Sequence, residues 1–422
     1  MWGYDAEYLI KKKVVVNSLS AIQNNRSYST KNENEMKPLE EILKKCEELA
    51  FDLNFSHAKK WKSEGDKRVI VGYLPTYVPR EIIHAANGLP VGIMGAGDRK
   101  QIIKGDAYYQ SYICHLPRGV IEMALDSELD GFDGFLFPAI CDCIRNLSGM
   151  YKLAGRGKFQ RYFDYPQNFQ EDIGGIFYTQ EMHKVLEDIK AINGVEVTKE
   201  KLNNAIHLYN INRKLIEEIY SIRQEYPWRL SAVETYHILR AGITIPVEEH
   251  NAILEDVIKA ISQERGEPMD NIRIVISGSF CEQPPIGLIK SIEMAGCYIV
   301  DDDFMLGSRW IIGDVAENTN DPLHTLTEAY LKQSTFSSAY YDVGNPRGKR
   351  LVKQVKERKA DGVIFSAASF CDPALLDRPE MQKECDAANI PHINFQYHEN
   401  TGQFKVIKEQ AGTFSDSIKL WA

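Results

Sequence analysis

The chain has 422 residues, more than one ordinary hydrophobic core organises, so its length predicts two or three domains. Its composition, 44% hydrophobic and 26% charged, is typical of a soluble globular protein. A net charge of −9 disfavours a nucleic-acid-binding protein, because affinity for phosphates relies on clustered Lys and Arg. No apolar run reaches the roughly 20 residues that a membrane-spanning helix needs, so no membrane span is predicted.

The first 36 residues lack the apolar core of a secretory signal. They contain Lys11–Lys13 and a polar stretch, Asn24–Glu35. The segment can be interpreted as an amphipathic targeting helix or, in the favoured interpretation, as a disordered extension before a second possible start at Met36. The protein is accordingly expected to be cytoplasmic.

The pattern that follows alternates between helices and short buried strands. Lys37–Lys62 has apolar side chains at helical spacing, which predicts a helix. A further helix is predicted to open near Pro79, since proline suits a first helical turn. From about Thr198 to Arg265 the pattern is helical, with breaks near residues 226–228 and 244–246. The predicted strands are Arg68–Gly72, Asp133–Pro138, Arg273–Ser277, Cys297–Val300 and Asp361–Ser366.

Two α/β portions resemble each other. Arg68–Pro79 can be laid on Arg273–Pro284 without a gap, and Asp133–Asp142 parallels Asp361–Asp372 with two residues inserted. Both pairs occur in the same order, which predicts an internal duplication. The predicted fold class is α/β, with two Rossmann-like parallel-sheet halves and a helical segment between them. The expected domains are 1–65, an N-terminal extension and helix; 66–195, the first Rossmann-like domain; 196–265, the helical segment; and 266–422, the second Rossmann-like domain.

The eight cysteines do not form a pattern typical of a disulfide scaffold. Cys114, Cys141 and Cys371 each stand just before a predicted helix, where N–H groups and the helix dipole stabilise a thiolate. Ligands of open α/β sheets bind beyond the carboxyl ends of the strands, where Cys141 and Cys371 fall. Three such thiolates could hold a 4Fe-4S cluster with one open iron, or a zinc ion with an open position. The alternative is three unrelated buried thiols.

The other cysteines have different surroundings in the sequence. Cys143 is interpreted as a packing residue, with a fourth ligand as the alternative. Cys281 follows a predicted strand and can line the same site. The remaining three fall inside regular elements and are predicted to belong to the core: Cys46, Cys297 and Cys385.

Two charged groups stand out. Asp301–Asp303 could ligate a hard cation, but without further spaced carboxylates it is predicted to be a solvated turn. A basic run in this acidic chain could meet phosphates or an acidic partner, or form a solvated loop; its members are Lys152, Arg156, Lys158 and Arg161. No nucleotide-binding P-loop motif occurs, so no ATP site is visible in the chain.

Four segments together resemble the 2-hydroxyacyl-CoA dehydratase/benzoyl-CoA reductase family: Gly72–Val91, Ile113–Arg118, Pro138–Asn146 and Ser369–Pro373. The resemblance runs from about Met36 to the C-terminus. It implies Rossmann-like halves and a 4Fe-4S cluster held by Cys114, Cys141 and Cys371. The fourth iron position then takes a non-protein ligand or the substrate.

Within that family, Ser279–Pro285 and Gly296–Asp303 are most similar to an iron–sulfur subunit of ATP-dependent benzoyl-CoA reductase. The resemblance implies a related cluster-bearing subunit and ATP-hydrolysing electron-activating subunits as partners. Reduced ferredoxin is an indirect partner that supplies the electrons, and the substrate is a coenzyme A thioester. ATP is then bound on partner subunits only. Val91–Gly95 lacks a Glu that the dehydratase pattern carries there, which favours a reductase or the subunit that binds no substrate.

The resemblance also implies candidate catalytic residues. Thr76 sits where the family places a hydroxyl near the thioester, and His115, beside a predicted ligand, is a candidate proton donor or a structural histidine. Three alternatives stay open: a radical 2-hydroxyacyl-CoA dehydratase subunit, an electron-relay subunit that binds no substrate, and a double-cubane reductase of small molecules.

Overall fold

The computed structural model describes residues 38–74, 76–261, 265–335, 347–398 and 403–421. The predictions made for residues 1–36 lie outside this part of the chain. Eight strands form two separate sheets of four, and every pair of neighbouring strands within a sheet is parallel. The predicted α/β class with two parallel sheets is therefore confirmed.

The first sheet has the strand order β2-β1-β3-β4. Its strands are β1, Val69–Tyr73; β2, Gly88–Gly92; β3, Gly134–Pro138; and β4, Phe159–Phe163. Strands β1, β2 and β3 are buried along their whole length, while β4 is half-buried at the edge. This burial explains why β1 and β3 consist of nearly continuous apolar residues, as strands covered on both faces do.

The second sheet has the order β6-β5-β7-β8. Its strands are β5, Ile272–Ser277; β6, Cys297–Asp301; β7, Gly362–Ala368; and β8, His392–Tyr397. The order repeats that of the first sheet when β5 is set on β1. Parallel neighbours need crossover connections, and helices supply most of them in both sheets.

The helices of the described residues complete the architecture. Those before and around the first sheet are α1, Leu39–Ala50; α2, Ser56–Ser63; α3, Arg80–Ala85; α4, His115–Leu125; α5, Asp142–Leu153; and α6, Ile176–Asn193. Those that follow are α7, Lys199–Glu225; α8, Ala232–Ala241; α9, Val247–Ile261; α10, Ile286–Glu293; α11, Pro322–Gln333; α12, Arg347–Glu357; α13, Asp372–Ala387; and α14, Phe404–Trp421. None of these helices is long and apolar enough to cross a membrane.

The two sheets match in register as well as in order. Val71 of β1 faces Gly134, and Ile274 of β5 faces Gly362. Because Gly134 and Gly362 correspond, Val71 corresponds to Ile274. The gap-free alignment of Arg68 with Arg273 instead pairs Val71 with Ile276. That alignment is therefore wrong by two residues. Repeated apolar residues allow either alignment in the sequence, whereas hydrogen-bonded pairing allows only one.

The helical segment agrees with its predicted breaks. The Thr198 side chain accepts the Lys201 N–H at the start of α7, and Ser231 with Glu234 forms a capping box at the start of α8. The helix predicted over Lys37–Lys62 is wrong in one respect, because the chain makes two helices there. Phe55, with a positive φ of 50°, interrupts them.

Candidate metal centre

The three cysteines predicted as ligands each stand at the start of a helix. Cys114 is the N-cap residue of α4, Cys141 of α5 and Cys371 of α13. The first N–H groups of a helix have no partner within the helix, and each of these cysteines stands at that end of its helix. The predicted helix-start positions of the three cysteines are therefore confirmed.

The same three cysteines lie together around one cavity of roughly 380 Å³, with Cys143 and Cys281 as further thiols. The cysteines come from loops at the carboxyl ends of strands in both sheets, or from the loop that precedes α4. The remaining wall is largely apolar and is completed by two acidic residues: Leu116, Ile140, Ile144, Phe370, Pro373, Glu282 and Asp372. The three predicted ligands therefore share one cavity with two further thiols.

Cys141 has the most acidic thiol of the cavity among those with a resolved shift. Its pKa is lowered to about 7, first by a hydrogen bond with Cys143; burial opposes this, and the N–H groups of Ile144 and Cys143 assist it. The same hydrogen bond, together with burial, raises the pKa of the Cys143 thiol. Of the two, Cys141 is the thiol that gives up its proton more readily.

Burial raises the pKa of Cys114 and Cys281. The carboxylate of Glu282 adds to the effect at Cys114, and a hydrogen bond with Cys371 adds to it at Cys281. Thiols of this kind stay protonated until a metal displaces the proton, and metal binding then releases protons.

The donor set suits an iron–sulfur cluster. Soft thiolates select zinc, copper(I) or iron–sulfur centres, and this cavity is lined by five thiols. The apolar wall and the helix N–H groups favour a buried anionic cluster, because both are known to tune such centres. Cys114, Cys141 and Cys371, one from each of three helix starts, fit the predicted ligand set.

His115 faces a second cavity rather than the cysteines. This cavity is lined by His115 together with Phe51, Tyr236, Arg240 and Tyr397, among others. Leu116 and Glu282 line both cavities, so one layer of residues separates the thiols from the second cavity.

Glu282 joins the two sheets' loops within that shared wall. Its carboxylate accepts the N–H of Leu116 at 3.0 Å, in the first turn of α4. The Tyr397 hydroxyl, at the end of β8, donates to the Glu282 carbonyl. The start of the helix that carries Cys114 is therefore held by a residue from the loop that carries Cys281.

Thr76 lines neither cavity. It is 1% exposed, and its hydroxyl has no hydrogen-bond partner in the described part of the chain. Its neighbour Tyr77 stacks on Trp310, with ring centroids 5.7 Å apart. The structure thus brings the three predicted ligands together but does not bring Thr76 to them.

The prediction of a solvated turn at Asp301–Asp303 is wrong. All three carboxylates are buried, and each has its own cationic partner. Asp301 pairs with Arg309 and Arg358, Asp302 with Arg223, and Asp303 with Arg347. Arg309 is 8 residues from Asp301, but the other three arginines lie 44, 57 and 79 residues from their partners, where a local pattern does not reveal them.

The basic run is mostly paired with nearby acids. Arg156 contacts Asp130 at 3.2 Å, and Lys158 contacts Asp133 at 3.0 Å. Arg161 likewise donates to Asp188 at 2.6 Å. These pairs favour the interpretation as a charged, solvated face over that of a phosphate site.

The three cysteines predicted to be structural are core residues. Cys46 lies in α1, Cys297 in β6 and Cys385 in α13, and each is at most 1% exposed. Burial raises the pKa of Cys46 and Cys297 to about 12 and that of Cys385 to about 11. This prediction is confirmed.

Sequence reasoning missed two features of the cavity wall. Cys143 lines the cavity, whereas packing was preferred for it over the alternative of a fourth ligand. Glu282 was not singled out, although it directly follows Cys281. The adjacent Cys281 was the only signal in the sequence for Glu282, because the Leu116 N–H that Glu282 accepts is 166 residues away.

A family model described as 2-hydroxyglutaryl-CoA dehydratase, D-component, matches residues 75–418. That match covers all five cysteines of the cavity and both sheets except the first strand. The chain belongs to this family. The resemblance seen in the cysteine segments is thereby confirmed.

Several proteins are similar to this chain over most of their own length. The chain is 49% identical over 383 residues to a subunit of benzoyl-CoA reductase from Thauera aromatica, covering 90% of this chain and 99% of that protein. It is 30% identical to the beta subunit of (R)-2-hydroxyglutaryl-CoA dehydratase of Acidaminococcus fermentans, covering 85% and 94%. It is 28% identical to the beta subunit of lactoyl-CoA dehydratase of Anaerotignum propionicum, covering 91% and 100%. These relatives are named as subunits of enzymes.

Proposed function

We propose that this chain is the 4Fe-4S subunit of a benzoyl-CoA reductase, in which it takes part in the ATP-coupled, low-potential reduction of an aromatic acyl-CoA thioester. The observation that carries the proposal is the 49% identity to a benzoyl-CoA reductase subunit over 99% of that protein. A cavity lined by five thiols supports the cofactor part of the proposal.

Cys114, Cys141 and Cys371 are the residues that would hold the cluster. When bound, such a cluster supplies single electrons at low potential. Each of these cysteines is the residue that precedes a helix, α4, α5 or α13, where the helix dipole favours negative charge. The apolar residues of the cavity wall keep water away, which protects a radical intermediate from being quenched.

The second cavity is the proposed place for the acyl group. Phe51, Tyr236 and Tyr397 provide aromatic walls, while His115 and Arg240 provide polar atoms that can orient a thioester. His115 is the proposed proton donor, since protons must follow electrons onto the reduced ring. Thr76 lines neither cavity, so only a substrate that extends beyond both could meet its hydroxyl.

The proposed complex contains a related cluster-bearing subunit and ATP-hydrolysing electron-activating subunits, which receive electrons from reduced ferredoxin. ATP binds to those partners. The relatives' names, each of which specifies one subunit, support an assembly of several chains.

The second candidate is a subunit of a radical 2-hydroxyacyl-CoA dehydratase. The family description and the 30% identity to a 2-hydroxyglutaryl-CoA dehydratase subunit favour it. The buried segment after β2, Ile93 to Gly95, provides no carboxylate for dehydration, which favours the reductase. Stoichiometric use of ATP per turnover would indicate the reductase, because a dehydratase uses ATP only for activation.

The first test is the iron and acid-labile sulfide content of the chain purified without oxygen, with EPR spectra before and after reduction. About four of each per chain are expected for one 4Fe-4S cluster. Cys114→Ser, Cys141→Ser and Cys371→Ser should each lose iron. Cys385→Ser is the matched control, because Cys385 is a buried cysteine of α13 outside the cavity.

Zinc in place of iron, or no metal in the unaltered chain, would overturn the cofactor assignment. Full iron retention in one of the three variants would remove that residue from the ligand set. Iron loss in the Cys385 variant would show that the losses report general unfolding.

A further inference from the structure

The helix that carries Cys114 begins with an unusual residue. Most N-cap residues supply a side-chain oxygen that accepts the N–H of the second or third helical residue, which satisfies one of the N–H groups left over at a helix start. Cys114 occupies the N-cap of α4 with a sulfur atom, which is a weak hydrogen-bond acceptor. An oxygen from elsewhere in the fold is therefore needed to cap α4 well.

Glu282 supplies that oxygen from the other repeat. Its Oε2 accepts the N–H of Leu116, the second residue of α4, at 3.0 Å. The two residues are 166 positions apart, so this bond joins the loop after β5 to a helix start of the first repeat. Hydrogen bonds to a carboxylate are strong, and the helix dipole favours a negative group at this end of a helix. The position of Cys114 therefore depends on a carboxylate of the second repeat.

The backbone of Glu282 is itself held in place. Its carbonyl accepts the hydroxyl of Tyr397 at the end of β8. Pro284 and Pro285 follow closely and restrict the backbone dihedral angles, and Pro285 is the N-cap residue of α10. A capping group on a backbone held in this way fixes the start of α4 before any metal arrives, which lowers the cost of binding.

The carboxylate of Glu282 also lines the cavity of the thiols. Reduction of a cluster by one electron adds one negative charge, so a carboxylate in the cavity wall opposes the reduction and lowers the reduction potential. The rest of this wall is largely apolar, and charges in such surroundings are screened less than in water. Nearby charge is one of the features that set the potential of a cluster.

We propose that Glu282 is a positioning residue of the cluster site with two separable roles. Its carboxylate oxygen caps α4 and so holds Cys114 in place, and its negative charge makes the cluster a stronger reductant. The inference rests on the proposed 4Fe-4S cluster. Glu282 acts from the cavity wall without a bond to iron, and the fourth iron position keeps its non-protein ligand or substrate.

The test compares the full-length chain, prepared without oxygen, with the variants Glu282→Gln and Glu282→Ala. Glutamine keeps an oxygen that can accept the Leu116 N–H but lacks the charge, whereas alanine lacks both. In a redox titration followed by EPR, Glu282→Gln should keep its iron and shift the midpoint potential of the cluster to less negative values. Glu282→Ala should bind iron about 10–100-fold more weakly, which is the usual effect of removing a group that orients a metal ligand.

A second measurement needs no metal. Hydrogen exchange of the Leu116 amide, followed in the metal-free chain, should become faster in Glu282→Ala but not in Glu282→Gln. Because the glutamine variant separates charge from capping, the inference stays falsifiable even if Glu282→Ala does not fold.

Glu122→Gln is the matched control. Glu122 is a buried carboxylate of α4 that likewise accepts backbone N–H groups, those of Ile103 and Gly105. Within the described part of the chain it lines neither cavity. The control should keep a potential close to that of the unaltered chain. An equal shift in Glu122→Gln and Glu282→Gln would overturn the specific role of the Glu282 charge.

Each remaining outcome also decides. An unchanged potential in Glu282→Gln overturns the charge role, and unchanged iron affinity and hydrogen exchange in Glu282→Ala overturn the positioning role; both results leave the proposed function standing. If no cluster forms in the unaltered chain, the proposed function fails and the charge role fails with it. Hydrogen exchange in the metal-free chain then still decides whether Glu282 caps α4.

Discussion

The two repeats differ in the residues that follow corresponding edge strands, β2 in the first sheet and β6 in the second. After β2 the chain continues into Ile93 and Met94, which are buried in the hydrophobic core. After β6, at the same place in the second sheet, it continues into Asp302 and Asp303, which are buried in a set of ion pairs. One backbone topology is therefore completed by apolar packing in one repeat and by paired charges in the other.

In the second repeat, the buried acidic residues also hold the loop that carries Cys281. Asp303 holds the backbone before Cys281, whereas no acidic residue lies within the segment Ile93 to Gly95. A buried ion pair adds little net stability over an apolar pair, but removing one partner is costly because a buried charge is left alone. The second repeat thus gains a fixed loop geometry and becomes sensitive to the loss of a single arginine.

The largest effect is expected for Arg223→Ala. Arg223 is fully buried, lies 2.7 Å from Asp302 and also donates to the Ile299 carbonyl at 2.7 Å. The variant should lower the free energy of unfolding by about 3–5 kcal/mol, as removal of one partner of a buried pair does. Denaturant titration followed by circular dichroism measures it, provided that unfolding is two-state.

Arg156→Ala is the matched control for that arginine. Its partner Asp130 is exposed, so the expected cost is below about 1 kcal/mol. Equal costs for the two variants would show that the second repeat does not depend on its buried pairs.

An intermediate effect is expected at a position that both repeats share. Asp133 accepts the Ile70 N–H at 2.9 Å, and Asp361 accepts the Arg273 N–H at 2.7 Å. Asp133 is buried and also contacts Lys62 and Lys158, whereas Asp361 is exposed. Asp133→Asn should cost about 1.5–3 kcal/mol of unfolding free energy and Asp361→Asn about 0.5–1 kcal/mol. A larger cost at Asp361 would contradict this ranking.

The smallest effect is expected on the pH dependence of the free energy of unfolding. Burial by itself raises the pKa of Asp133, but hydrogen bonds from Lys62, the Ile70 N–H and Lys158 outweigh it and hold the pKa below its usual value. A carboxyl with a depressed pKa in the folded state contributes stability above its unfolded pKa and loses it as the pH falls through the folded one. The free energy of unfolding should therefore fall less steeply below about pH 4 in Asp133→Asn than in the unaltered chain. If the free energy of unfolding falls equally steeply with pH in both proteins, Asp133 does not contribute to the loss of stability in acid.

Sequence reasoning predicted the centres of both sheets better than their edges. The four central strands, β1, β3, β5 and β7, are covered on both faces, and their apolar runs made them recognisable. Among the edge strands only β6 was found from its pattern. Pro and Gly interrupt β2, while polar residues alternate along β4 and β8, as is usual for strands with one open face.

The site was predictable where its signal was local. A cysteine that follows a strand and precedes a helix is visible in the sequence, and Cys141 and Cys371 were found in this way. The contact of Glu282 with the Leu116 N–H and the pairing of Asp302 with Arg223 depend on distant segments. No local pattern encodes such contacts, which is why the acidic triplet was misinterpreted.

The assembly of the cavity from both repeats has a consequence for chain entropy. A metal group bound to Cys114 and Cys371 would tie together points separated by about 260 residues of chain, which is longer than most disulfide loops. By the loop-closure relation, a permanent link of that span would remove denatured-state entropy equivalent to about 5.6 kcal/mol. The proposed ligands would then also stabilise the fold by linking its two repeats.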